Sequence, residues 1–325
     1  MKRFMIFLLG LAVLGAGLWF LGPREPATGP VAFSPDTLGR DLDAYLFRSE
    51  RAVPDIRRGT QKHILWVDPV GKRRTPLSIV YLHGFSATLE EIRPVPDNVA
   101  RALGANLFYT RLTGHGQSGA ALGAARLADW RADVAEALEI GRRLGERVIV
   151  MGTSTGGSLA TMALGDPEMS RDVAGVVFFS PNFALKAEGS QVLTWPFARQ
   201  FVPMILGAER FFAPENADHA KWWTTRYPTQ AVIPMAAAVK AANEVEHGAI
   251  DVPALFVFSD ADQIVDAART RAIAARWGGS TALWPVEAGP EDDRVSHVIA
   301  GDILSPGLTD EVVERILEWV RERGF

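Results

Sequence analysis

Apolar positions fall into three patterns along the chain. From Phe4 to Leu21 every position is apolar or glycine, between Lys2-Arg3 on one side and Gly22-Pro23-Arg24-Glu25 on the other. Beyond residue 60, short β-rich apolar runs at 63–67, 77–82, 106–112, 147–151, 173–180, 254–259 and 281–286 alternate with helical patterns. Such alternation predicts a mostly parallel sheet covered on both faces. Leu127, Trp130, Val134, Leu138 and Gly141 keep a three-to-four spacing, as do Val312, Val313, Ile316, Leu317 and Val320, so each set predicts a helix with one buried face. The third pattern interrupts the second once. Residues 182–250 hold Trp195, Phe197, Phe201, Met204, Phe211 and Trp222 among Pro196, Pro203, Pro214, Pro228 and Pro234. That stretch is too long for a crossover and too apolar for an exposed loop, which predicts a mainly helical cap over the sheet.

The first pattern concerns location. The run reaches the roughly 18 apolar residues of a spanning helix and exceeds a usual signal-peptide core. Its best small-residue set for cleavage, Gly15-Ala16-Gly17, lies inside the run. We therefore expect residues 1–22 to be a retained membrane anchor, with a cleaved signal segment as the alternative. Lys2 and Arg3 would stay in the cytoplasm, leaving the body on the extracytoplasmic side. Residues 23–37, rich in Pro, Gly and Ala, read as a tether, and residues 38–325 as the folded domain.

Composition removes whole classes of function. With 325 residues, 48% hydrophobic and 22% charged, the chain can build a large core. Its 34 Lys plus Arg against 38 Asp plus Glu provide no basic field for nucleic acid. The absence of cysteine excludes disulfides, thiolate metal sites and a Cys nucleophile. There is no HExxH pair and no dinucleotide fingerprint, so neither metal nor cofactor is expected.

The strongest local signal is Arg147-Val-Ile-Val-Met-Gly152-Thr153-Ser154-Thr155-Gly156-Gly157. A β-branched strand runs directly into G-x-S-x-G and then into small helix-forming residues, the context a nucleophile elbow requires. A serine hydroxyl attacks well only when a tight turn presents it to a base, and the flanking glycines let that turn pack. The helix beginning after Ser154 also directs its positive end at any negative charge formed there.

With these residues the chain resembles the α/β-hydrolase superfamily from about Ile64 to Phe325. The resemblance implies an α/β-hydrolase fold: a mostly parallel central sheet, helices on both faces and a helical cap insertion, here preceded by the hydrophobic helix. Tyr81-Leu82-His83-Gly84-Phe85 looks like the family's HG turn, which implies an oxyanion hole formed by the backbone N–H groups of Phe85 and Thr155. Gly114-His115-Gly116-Gln117-Ser118 is similar to the family's G-H-G-x-S turn, in which His115 would be structural. Phe258-Ser-Asp260-Ala-Asp262-Gln-Ile264-Val265 looks like the loop carrying the triad acid. The family places that acid two before the Ile-Val pair, which implies Asp262, leaving Asp260 as a turn-capping carboxylate. The family order of Ser, Asp, His implies that the base follows the acid, and of six histidines only His297 does so.

The same resemblance suggests a function. Serine at the elbow departs from the dehalogenase and epoxide hydrolase branches, and His83-Gly84-Phe85-Ser86-Ala87 departs from the proline iminopeptidase turn. What remains is most similar to monoacylglycerol lipases, lysophospholipases and bacterial carboxylesterases. A serine hydrolase of carboxylic esters, acting on lipid-like acyl substrates through an acyl-enzyme, is the expectation. An acyltransferase or peptidase using the same triad, and a non-catalytic membrane-tethered binding protein, are the alternatives.

Overall fold

The computed structural model describes residues 2–325, so Met1 of the expected anchor lies outside the described residues. Seven strands form one sheet: β1 (His63–Leu65), β2 (Thr75–Leu82), β3 (Asn106–Tyr109), β4 (Gly145–Thr153), β5 (Val173–Phe179), and, after a small hairpin of β6 (Glu209–Phe211) and β7 (Arg226–Pro228), β8 (Ala254–Phe258) and β9 (Thr281–Pro285). Their order is β1-β3-β2-β4-β5-β8-β9, antiparallel only between β1 and β3.

Alternation along the central strands shows why these runs are apolar throughout. Val80, Val148, Val150, Val176, Phe178 and Phe256 point to one face, where helices Leu127–Leu144, Thr155–Leu164 and Val232–Glu244 cover them. Ile79, Tyr81, Ile149, Met151, Val177 and Val257 point to the other, under helices Val95–Leu103 and Thr309–Arg323. With both faces buried, no polar stripe survives in the strand sequence. This is the mostly parallel, doubly covered sheet the sequence predicts.

Residues 182–250 hold the helices Ala198–Leu206, Ala217–Trp222 and Val232–Glu244, and also the antiparallel β6–β7 ladder. The expectation of a mainly helical segment omits that ladder. Its strands are three residues long and β7 ends at Pro228, too short for any period to show. The helix Val232–Glu244 packs on Thr155–Leu164 and so belongs to the body as much as to the cap.

The helix Lys2–Leu21 has no buried residue and meets the body in its last turn, where Trp19 lies against Trp195. The chain after it is docked. Glu25, its side chain 2% exposed, accepts from Leu127 N–H (2.9 Å) and pairs with Arg126 and Arg199 at 3.0 Å. Ala27 and Phe33 pack against the core that includes helix Leu127–Leu144. Proline and glycine content predicts a tether here, but it is blind to a lone carboxylate with two arginine partners far away in sequence.

This docking predicts different outcomes for two truncations. A chain starting at Gly22 should keep the urea midpoint of the full protein. One starting at Leu38 should lose roughly 2 kcal/mol, because Phe33 and Ala27 leave the core and the arginines lose their carboxylate.

Candidate active site

β4 ends at Thr153, and the chain reverses at Ser154 (φ 50°, ψ −113°) into helix Thr155–Leu164. The turn is held from both sides. Ser154 N–H donates to Phe179 O at 2.9 Å, and Ser154 O accepts from the N–H groups of Gly157 (2.9 Å) and Asn182 (3.0 Å). Gly156 is required by space: a Cβ there would stand 2.0 Å from Leu82 O and 2.9 Å from His83 O. The elbow is thus pressed against the end of β2 and the turn that follows it.

The structure brings Ser154, His297 and Asp262 into one hydrogen-bonded chain. His297 Nε2 lies 3.0 Å from Ser154 Oγ, and His297 Nδ1 lies 2.8 Å from Asp262 Oδ2. Oδ1 of Asp262 accepts from Ile264 N–H (2.7 Å) and Val265 N–H (2.9 Å), and Lys186 Nζ donates to the Asp262 carbonyl. The carboxylate is 1% exposed, so these bonds fix its rotamer and leave Oδ2 to the imidazole. Asp260 faces solvent and pairs with Arg271 at 2.6 Å, away from His297.

The histidine loop has its own clamp. Asp293 Oδ2 accepts from the N–H groups of His297 (2.8 Å) and Val298 (2.7 Å), while its own N–H donates to Ser305 Oγ (3.1 Å). Burial is the largest influence on the His297 pKa and works to lower it. The hydrogen bond and charge of Asp262, joined by the charges of Glu91 and Asp293, outweigh burial, and the net pKa lies above the ordinary 6.5.

Of the two residues expected to supply the oxyanion hole, Phe85 lies on the turn after β2 and Thr155 at the first position of the elbow helix. Among the hydrogen bonds of the described residues, neither backbone N–H has an acceptor. His83 braces the turn: its Nδ1 lies 2.9 Å from Gly84 O while Nε2 accepts from Leu112 N–H at 3.1 Å. Burial pushes its pKa down to about 4, so it stays neutral. His115 is fully buried between the rings of His83 and Trp130, a packing position.

Sequence reasoning missed Glu91. It lies under the turn, 3% exposed, and its Oε2 accepts from Gly84 N–H (2.7 Å) and Tyr81 Oη (2.8 Å). Tyr81 Oη is also 3.1 Å from Thr153 Oγ1, so one carboxyl links the turn before Phe85 to the strand end before Ser154. In the sequence Glu90 and Glu91 look alike, yet Glu90 pairs with Arg93 near the surface. No spacing separates them. Burial pushes Glu91 up to about 7, against the lowering effect of the Gly84 and Tyr81 bonds and the His297 charge.

Three comparisons bear on this site. Residues 75–283 match the family Hydrolase_4, described as serine aminopeptidase, S33. A thermostable monoacylglycerol lipase of Bacillus sp. (strain H-257) is 25% identical over 198 residues, 61% of this chain and 75% of that protein. Among solved structures, a metagenome-derived lipolytic enzyme aligns with TM-score 0.66 at 20% identity, over 82% of this chain and all of that one. A soluble variant of monoglyceride lipase from Saccharomyces cerevisiae aligns with TM-score 0.59 at 13% identity, over 92% of this chain and 98% of that one. At such identities the structural likeness speaks for the fold.

Two titrations follow from the geometry. NMR of labelled histidine should place the His297 midpoint above 6.5, and Asp262→Asn should lower it, since the principal raising partner loses its charge. For Glu91, the folded state holds its proton more tightly than the unfolded chain, so stability should fall as pH rises from about 4.5 to about 7. Glu91→Gln should flatten that fall by up to about 3 kcal/mol in urea unfolding across the window.

Proposed function

The chain belongs to the Hydrolase_4 family, the serine aminopeptidase S33 group, and from that premise we propose that it is a serine-dependent carboxylic ester hydrolase of lipid-like acyl substrates. The observation that carries the proposal is the chain of bonds Ser154–His297–Asp262 at a strained strand-to-helix turn. Similarity to a monoacylglycerol lipase supports esters over peptides, as does the apolar contact of the cap with the oxyanion turn, where Tyr227 stacks edge-on against Phe85 at 5.2 Å.

The proposed mechanism follows from the atoms. Ser154 Oγ attacks the ester carbonyl carbon as His297 Nε2 takes its proton, and Asp262 stabilises the resulting imidazolium through Nδ1–H. The N–H groups of Phe85 and Thr155 receive the oxyanion, a contribution of about 3 kcal/mol per donor at other such sites. When the intermediate collapses, His297 returns the proton to the leaving alcohol, and Ser154 keeps the acyl group. Water activated by the same imidazole then releases the acid and restores the serine. No step calls for a metal or an organic cofactor. Lys2 and Arg3 at the start of the apolar helix support an enzyme held to the membrane with its catalytic body on the extracytoplasmic side.

A second reading has one specific support, the family description, which names an aminopeptidase. Both readings use the same serine, so substrate decides. The full chain in detergent should hydrolyse p-nitrophenyl esters and monoacylglycerol, with Ser154→Ala or Asp262→Asn lowering kcat by roughly 10⁴ and Asp260→Asn leaving it unchanged. Cleavage of aminoacyl arylamides with no ester turnover would replace the lipase reading with the peptidase one. Esters left untouched together with a Ser154 unreactive to fluorophosphonate would remove both.

A further inference from the structure

The cap carries an apolar tip that the fold does not use. In helix Ala198–Leu206, Ala198 and Val202 are buried, but Met204, Ile205 and Leu206 are exposed in succession, at 84%, 71% and 44%. Phe211, 59% exposed, follows on β6, and Trp195, 41% exposed, precedes the helix. Single apolar residues on a surface need no explanation. A consecutive run of three with two aromatics beside it does.

What lies next to this tip identifies its partner. Trp19, in the last turn of the apolar helix Lys2–Leu21, packs edge-on against Trp195 at 5.4 Å. Pro23 O accepts from Phe197 N–H at 2.7 Å, and Glu25 pairs with Arg199 inside the cap helix and with Arg126 on the body. The end of the apolar helix is therefore bracketed to the start of the cap helix, with no slack between them. A helix that is apolar on every side from Phe4 onward, with no buried residue and a cap contact in its last turn, fits a hydrocarbon environment, and its terminal tryptophan fits the interfacial level. Trp195, in contact with that tryptophan, then stands at the same level. A nine-residue helix is only about 14 Å long, so the tip cannot be far from the bilayer surface. Arg24 lies over Trp19 and Arg226 over Phe211, at 5.8 and 5.1 Å, which sets guanidinium groups beside the apolar rings as a lipid headgroup layer would favour.

We propose that Trp195, the tip Met204-Ile205-Leu206 and Phe211 form a membrane-docking surface that sinks into the bilayer interface beside the anchor, making the cap the membrane-facing side of the enzyme. The anchor attaches, and this surface orients. Where the ester hydrolase reading holds, on which this further consequence rests, acyl esters are presented to the cap from the bilayer rather than from solution.

The chain has no cysteine, so single probes can be placed cleanly. Ile205→Cys carrying an environment-sensitive fluorophore should, in full chain reconstituted in phosphatidylcholine vesicles, be quenched by spin-labelled lipid and shielded from iodide. The same probe at Glu311→Cys, on the helix covering the other face of the sheet, should show the reverse. Equal lipid quenching at the two positions overturns the proposal. So does a probe at 205 that both quenchers fail to reach, which assigns the tip to a second copy of the chain. In parallel, Met204→Asp/Ile205→Asp should lower hydrolysis of vesicle-embedded monoacylglycerol roughly tenfold while leaving a soluble short-chain ester unaffected. Equal loss on both substrates overturns the orienting role. If the wild-type chain hydrolyses neither, the ester reading fails, and the quenching result still decides the docking surface.

Discussion

The turn at Ser154 costs the fold energy. A residue with a Cβ held at φ 50° and ψ −113° occupies a sparsely populated conformation, at a cost of order 1–3 kcal/mol. It persists because both flanks are over-determined: β4 runs between β2 and β5 in the centre of the sheet, and the following helix is packed against strand ends so closely that Gly152, Gly156 and Gly157 leave no room for a side chain. That same close approach brings the turn after β2 beside the serine. The position of the turn that carries Phe85 thus follows from the absence of a Cβ at Gly156 together with the Glu91 carboxyl, which bonds Gly84 N–H on that turn and, through Tyr81, reaches Thr153.

Around the imidazole of His297 the structure gathers three carboxyl groups, and backbone amides support each of them. Asp262 takes the N–H groups of Ile264 and Val265, Asp293 those of His297 and Val298, and Glu91 that of Gly84. Buried charge held this way needs no buried cation nearby. The field at His297 therefore favours its protonated form, the form a general base must reach midway through acyl transfer. Glu91 differs from the other two in being pushed up to about 7. Its charge and that of the imidazole act on each other, so the turn before Phe85 and His297 share one electrostatic environment.

How much of this the sequence shows depends on whether a feature is local. The sheet is legible because each central strand is buried on both faces and reads as an unbroken apolar run. Ser154 is legible because its glycines lie within two residues on either side. Asp262 and His297 can be reached only through family resemblance, since 35 residues separate them and nothing in their immediate neighbourhoods signals pairing. Glu91, Glu25 and the β6–β7 ladder are not legible at all. Each depends on a partner distant in sequence, or on a run too short to carry a period: composition assigns Glu25 to a linker, the apolar pattern assigns β6 and β7 to a helical cap, and nothing local separates Glu91 from Glu90.

Glu25 shows what such invisible contacts can decide. An anchor alone leaves an enzyme free to tumble over the membrane, and only a second contact selects an orientation. In the proposed arrangement the apolar helix meets the entropic cost of bringing protein to bilayer, so that contact acts at a high effective concentration and can be weak. Three exposed aliphatic side chains and two aromatics suffice in that setting, whereas on a freely diffusing protein they would be an aggregation liability. The bracket at Glu25 is what converts proximity into orientation. It ties Arg199 in the cap and Arg126 in the body to a carboxylate four residues beyond the apolar helix Lys2–Leu21, so the cap cannot turn away from that helix without breaking the ion pairs of a buried carboxylate.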